Sequence, residues 1–191
     1  VSIEVAPRKK RIAPYIAGAV GVVVIAFLVV LAVSSPNEST VSSSPLLGQP
    51  APEVKSTTID DQPFDLSRRR GSWVVFNFFN STCVPCRQEH PYLLSFYDKQ
   101  ATAPTPAELY TIVNDDTDGA VEAYFEANGG AWEKVRDDDG AIAVAFGVAK
   151  VPETWIIDPN GFVRLRILGA LTENFLEEQL TKLQQEFEGT P

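Results

Sequence analysis

The sequence predicts an α/β domain with a mixed central sheet flanked by helices, preceded by an apolar N-terminal helix. Three observations carry this. WVVFNFF, residues 73 to 79, is a nearly continuous run of strand-forming residues, as expected of a central strand buried on both faces. Strand-like and helix-like segments alternate after it, which is the pattern of parallel βαβ units. TWIIDPNGFVRLRIL then reads as an antiparallel hairpin turning at Asp158-Pro159-Asn160-Gly161.

The N-terminal region comes first. Arg8, Lys9, Lys10 and Arg11 precede IAPYIAGAVGVVVIAFLVVLAV, residues 12 to 33, which carries no charge. A helix of that length reaches about 33 Å, enough for the hydrocarbon core of a bilayer. The basic cluster predicts a cytoplasmic segment 1 to 11, a transmembrane anchor 12 to 33 in contact with lipid, and an extracytoplasmic remainder. Ala32-Val33-Ser34 offers the alternative of a cleaved signal peptide. The apolar run exceeds the roughly 7 to 15 residues of a signal-peptide core, so an uncleaved anchor is expected. Residues 34 to 52 are rich in Ser and Pro and read as an extended, flexible linker. The folded domain is expected from about Leu46 to residue 191, long enough for one hydrophobic core.

Within that domain, Val54 to Ile59 and Phe64 to Leu66 read as a short pair of strands around Asp60-Asp61. After the central strand, Cys86 to Lys99 reads as a helix with Leu93, Leu94, Phe96 and Tyr97 inward, and Pro91 is expected to kink it. Residues 108 to 114 form the next strand. Ala120 to Asn128 is a helix stopped by Gly129-Gly130. A short strand is expected around Val135, then a loop at Asp137 to Gly140 and a short helix Ala141 to Phe146. On the return strand of the hairpin, Val163, Leu165 and Ile167 are expected to share one face. A last amphipathic helix carries Phe175, Leu176, Leu180, Leu183 and Phe187.

Charge narrows the function. The chain carries −9 overall; four of its 16 basic residues and one of its 25 acidic residues precede Val33, leaving 12 basic against 24 acidic residues beyond it. A domain so acidic lacks the basic surface that phosphate contacts need, so no nucleic-acid partner is expected.

The chemistry concentrates in STCVPCRQEH, which holds both cysteines, Cys83 and Cys86, and the lone histidine, His90. Three readings are open. A C-x2-C pair supplies two of the four ligands that structural zinc needs, and the chain has no further cysteine. An inert disulfide closing so short a loop removes little entropy from the unfolded chain. A redox couple fits best. Cys83 follows the apolar strand and is expected at a helix N-cap, where unpaired N–H groups favour a thiolate. A thiolate is the species that attacks a disulfide. Cys86, one turn in and less exposed, is placed to resolve the mixed disulfide. Pro85 pre-sets the first helical turn.

At this point the sequence resembles the thioredoxin superfamily: a strand, C-x-P-C at a helix start, a proline within that helix, and Val151-Pro152 before a hairpin. CRQEHPYL, NDD at 114 to 116 and FGVAKVPETWIIDPNGFVRLRILGAL further resemble the membrane-tethered thioredoxins of cytochrome c maturation, the DsbE or CcmG type within the TlpA and ResA group. The resemblance implies a thioredoxin-like fold and a thiol–disulfide oxidoreductase kept reduced. Its partners would be apocytochrome c or maturation factors, with a membrane thiol reductase as electron donor and no cofactor or metal. It implies a cis Pro152 beside the cysteines, with the Val151 backbone free to pair with a substrate strand. It also implies Glu89 and Glu153 near the site. Thr82, Val84, Pro85 and Val151 form the expected substrate-facing rim.

The sequence departs from that pattern in three places. Asn77 stands where thioredoxins place a buried Asp; Thr82 stands where they carry Trp; and Val84 stands where ResA-like proteins carry Glu. The alternative for Glu89 is a solvated helix residue, and for Glu153 a hydrogen-bonding role that fixes the Pro152 loop. His90 is expected to cover the helix surface, and Arg87 and Arg68 to Arg70 to be solvated. Two other functions stay open: the same fold used as an oxidant of exported proteins, and a tethered binding module with an inert disulfide. Peroxiredoxin chemistry is less favoured, because Thr82 adjoins Cys83 where that family keeps its Thr three residues earlier.

Overall fold

The computed structural model describes residues 13–33 and 39–189. The basic segment 1 to 11 lies outside the described residues, as does 34 to 38 of the linker. The backbone of α1 (Ala13–Val33) is helical. Side chains within it are described at Gly18, Val20 and residues 21–29, and over that stretch most are exposed valine, isoleucine, leucine and phenylalanine. Among the described residues no helix is long and apolar enough to cross a membrane.

The folded domain is built on a six-stranded sheet. Its strands are β1 (Thr40–Val41), β4 (Trp73–Phe79), β5 (Ala107–Asn114), β6 (Glu133–Asp137), β7 (Glu153–Ile157) and β8 (Val163–Leu168). Their order is β1-β8-β7-β4-β5-β6. β4, β5 and β6 run parallel, while β7 and β8 are antiparallel additions. This is the mixed sheet expected. A separate two-stranded sheet pairs β2 (Lys55–Thr57) with β3 (Pro63–Asp65). Leu66 to Arg69, expected in part to continue the strand, form a 3₁₀ turn capped by the Asp65 side chain.

β4 explains why the sheet is covered on both sides. All seven of its residues are buried. Trp73, Val75 and Phe79 pack with α2 (Val84–Gln100), α3 (Asp118–Asn128) and α5 (Phe175–Glu188). Val74, Phe76 and Phe78 face the opposite way, against α4 (Ala141–Phe146) and the β2–β3 hairpin. A run apolar at every position but Asn77 is thus what a strand between two covered faces requires.

The β7–β8 hairpin differs from expectation in detail. Only Gly161 of its turn takes a positive φ, at 84°. The Asp158 carboxylate accepts the Asn160 and Phe162 N–H groups, both at 2.9 Å, so the turn is held by a side chain rather than by two left-handed residues. The register slips between Ile156 and Ile157, which pair with Leu165 and Val163. The extra residue, Arg164, is a bulge, and it inverts the facing pattern around it. Leu165 and Ile167 join the α2 side, while Val163 joins the α4 side. The three do not share one face.

The Ser/Pro-rich segment also contributes structure. Thr40–Val41 adds a short edge strand beside β8, and Ser39 Oγ donates to the Ala170 carbonyl at 2.7 Å.

Candidate active site

Cys83 is the N-cap of α2, with φ −71° and ψ 112°, and its sulfur lies 3.2 Å from the Cys86 backbone N–H. The two cysteines are joined as a disulfide, with Cα atoms 5.3 Å apart. Cys86 is fully buried and Cys83 is partly exposed. The asymmetry follows from the helix start: the cap residue lies outside the first turn, and the residue three positions on faces the sheet. A disulfide here can be attacked from outside only at the Cys83 end.

The expected rim is assembled around that end. Val151–Pro152 is a cis peptide bond. The Val151 carbonyl is 3.7 Å from Cys83 Sγ. Thr82 and Val84 are exposed, and Pro85 sits in the first turn of α2. Asn80, which sequence reasoning did not single out, organises the approach loop. Its Oδ1 accepts from Thr82 N (2.9 Å) and Thr82 Oγ1 (2.6 Å), and its Nδ2 donates to the Asn114 and Asp115 carbonyls. Asp116 accepts the Ser81 N–H. The signal for both was an Asn placed between an apolar strand and the cysteines, with Asn-Asp-Asp closing the neighbouring strand.

Glu89 is not a solvated helix residue. It is fully buried, one turn past Cys86. Its Oε1 accepts from Asn77 Nδ2 at 2.8 Å, and its Oε2 accepts from Leu171 N at 2.7 Å. Burial pushes its pKa up to about 7, against a downward pull from the Leu171 and Asn77 hydrogen bonds. Asn77 Nδ2 also donates to Thr154 Oγ1 at 3.1 Å.

Glu153 lies elsewhere. It is buried on the α4 side of the sheet, opposite Thr154, in a network with Trp155 Nε1 (2.8 Å) and Arg166 Nε (2.8 Å). Arg166 in turn covers the Trp155 ring at 5.2 Å. The residue therefore ties β7 to β8 through Arg166, rather than holding the Pro152 loop itself, and does not converge with Glu89.

Two surface expectations also change, at His90 and Arg69. His90 is buried, with Nε2 3.0 Å from the Gly129 carbonyl and its ring against Tyr124, Phe125 and Trp132. Desolvation lowers its pKa, opposed by contacts with Gly129 and Asn128. Arg69 is not simply solvated: it lies over Phe64 and Tyr110 and reaches Glu108 and Glu133. Arg87 is exposed, and its guanidinium lies 5.5 Å over the Tyr124 ring. Among the described residues no cluster of three or more potential metal ligands forms.

The site can do one kind of chemistry: a vicinal cysteine pair with one accessible sulfur at a helix N-terminus exchanges disulfides. The comparisons agree. The sequence pattern described as the AhpC/TSA family matches residues 47–166. The thiol-disulfide oxidoreductase ResA of Bacillus thuringiensis subsp. konkukian is 30% identical over 137 residues, covering 72% of this chain and 78% of its own length. The thiol:disulfide interchange protein HelX of Rhodobacter capsulatus is 31% identical over 150 residues, covering 77% of this chain and 82% of its own. Among solved structures, a thiol:disulfide interchange protein DsbE from Chlorobium tepidum superposes with a TM-score of 0.65 at 25% identity, covering 71% of this chain and 96% of that one. A buried-and-exposed cysteine pair on this fold, shared with relatives named for disulfide exchange, makes the chain a thiol–disulfide oxidoreductase of the ResA/DsbE type belonging to the AhpC/TSA family.

Proposed function

We propose that this oxidoreductase is tethered to the outer face of the cell membrane by residues 12 to 33 and reduces disulfides of apocytochrome c or of its maturation partners. The observation that carries the exchange chemistry is the pair itself, a buried Cys86 joined to a partly exposed Cys83 at the α2 N-terminus, with the buried Glu89 one turn past Cys86 as its proton acceptor; the reducing direction rests on the similarity to ResA, HelX and DsbE. The apolar helix behind a basic cluster supports the topology. Similarity to ResA, HelX and DsbE supports the extracytoplasmic setting.

The cycle starts from the dithiol. The Cys83 thiolate, favoured by the α2 N-terminus, attacks one sulfur of the substrate disulfide. A Cys83–substrate bond forms, the substrate S–S bond breaks, and one substrate thiolate leaves. Cys86 then loses its proton to Glu89 and attacks Cys83 Sγ. The Cys83–Cys86 bond forms and the second substrate thiolate leaves. The substrate has gained two electrons and the pair has lost two. A membrane thiol reductase returns them. The Val151 backbone, beside Cys83 Sγ, aligns the substrate strand, and Thr82, Val84 and Pro85 form its floor.

The test is trapping. Cys86→Ser cannot resolve the mixed disulfide, so Cys83 should hold its substrate in the cell. Captured chains carrying a haem-attachment CxxCH, or thiols of maturation factors, support the proposal. Captured exported proteins that lack both, and that lose disulfides when the enzyme is deleted, point instead to an oxidant.

A further inference from the structure

Beneath the cysteine pair, one buried atom has no partner. Asn77 is wholly inaccessible, yet its Oδ1 accepts no hydrogen bond. The other end of the same amide is fully used: Nδ2 donates to Glu89 Oε1 and to Thr154 Oγ1. Buried polar atoms are almost always paired, so the orphan calls for a reason.

The reason lies in what Glu89 can be. As a carboxylate it is acceptor-only, and the observed arrangement suits that state: Asn77 Nδ2 and Leu171 N each donate to one oxygen. Once protonated on Oε1, Glu89 becomes a donor there and faces a second donor. A half-turn of the Asn77 amide exchanges Nδ2 and Oδ1. The oxygen then accepts from the Glu89 hydroxyl, and the Thr154 hydroxyl, rotatable, turns from acceptor to donor. Nδ2 then takes the place Oδ1 held, so one end of the buried amide is unpaired in either state, and no charge is added.

We propose that Asn77, with Thr154, is a two-position amide switch that follows the protonation of Glu89, presenting a donor to the carboxylate and an acceptor to the acid. Asn77 is thus a positioning residue for the proton-exchanging group. An Asp at position 77 would set a second carboxylate against Glu89 and could not play both parts. The inference rests on the thiol–disulfide chemistry of the pair, not on which protein supplies the disulfide.

The groups around Glu89 allow its titration to be isolated. Cys86 shares its helix. From α3, the Tyr124 hydroxyl is electrostatically coupled to it, and Arg87 lies over the Tyr124 ring. β4 and β7 bring only the neutral Asn77 and Thr154, and the segment after β8 brings the Leu171 N–H. His90 turns away toward Tyr124, Phe125 and Trp132. In the oxidised protein neither cysteine titrates.

The experiment is side-chain NMR on the oxidised full chain in detergent micelles, with ¹⁵N-labelled Asn and ¹³C-labelled Glu, from pH 5 to 9. The Asn77 amide resonances should move with the same midpoint as the Glu89 carboxyl carbon. They should become flat in Glu89→Gln, which keeps the shape and removes the proton. In Asn77→Asp the Glu89 midpoint should rise by a unit or more, a tenfold weaker proton release. Asn77 resonances that stay constant while Glu89 titrates, or that still titrate in Glu89→Gln, would overturn the proposal. So would a Glu89 midpoint unmoved in Asn77→Asp.

Discussion

A carboxyl group sealed from water beside a reactive thiol ties both stability and reactivity to pH. Glu89 has its pKa raised from 4.5 to about 7 in the folded protein. The native state therefore binds more protons than the unfolded chain between those values. The stabilisation is complete below about pH 4.5 and is lost as pH rises to about 7. The shift corresponds to about 3 kcal/mol. Urea denaturation of wild type and Glu89→Gln at pH 4 to 8 should show a declining midpoint for the former that the latter lacks. Glu89→Gln should also flatten the pH dependence of Cys83 alkylation in the reduced enzyme near pH 7, because a like charge nearby holds thiol pKa values up. Glu153 answers differently, since its partner is Arg166. Glu153→Gln should cost about 2 kcal/mol by urea denaturation while leaving the alkylation profile unchanged. The sequence located the cysteines because spacing alone carries their chemistry. It could not separate the two glutamates: Glu89 is read by which helical face it takes, and Glu153 by strand alternation across a sheet. Both depend on three-dimensional partners, Leu171 and Arg166, remote in the chain.

At the scale of elements, short side chains and special backbone positions hold the site's supports. The buried Asp137 carboxylate accepts the Ile142 and Ala143 N–H groups, both at 2.8 Å, and so closes the start of α4. Asp137→Ala should cost about 2 kcal/mol and speed amide exchange at those two positions. Gly130 has φ +110°, and a Cβ there would stand 2.8 Å from Phe125 Cδ1. Gly130→Ala should therefore cost about 3 kcal/mol, from strain and clash together, and disturb the aromatic pocket around His90. Periodicity made most elements legible, because β4 is apolar at every position but Asn77 and the helices carry regular apolar faces. It missed the β-strand at Thr40–Val41, which is two residues long and stabilised by pairing with β8 rather than by its own pattern. It missed the bulge at Arg164 for a related reason: a one-residue slip is set by the turn, and alternation on either side looks unbroken.

The whole molecule combines an acidic catalytic domain with an apolar leading helix. If residues 12 to 33 anchor the chain as proposed, the full chain should resist alkaline extraction from membranes, and removing residues 1–36 should release an active domain to the soluble fraction. A full-length gene product found soluble and shortened near Ala32-Val33-Ser34 would indicate a cleaved signal instead. Direction of electron flow is the larger matter. It depends on the relative stability of dithiol and disulfide, which small differences in thiol pKa decide. The measurement that bears on it most directly is the reduction potential of the Cys83–Cys86 pair at pH 7 against glutathione or dithiothreitol. Thioredoxin stands at about −270 mV and the oxidant DsbA at about −120 mV. A reductant of cytochrome c disulfides should lie near or below the thioredoxin value. A value close to that of DsbA would contradict the reducing role and make the same fold a source of disulfides for exported proteins.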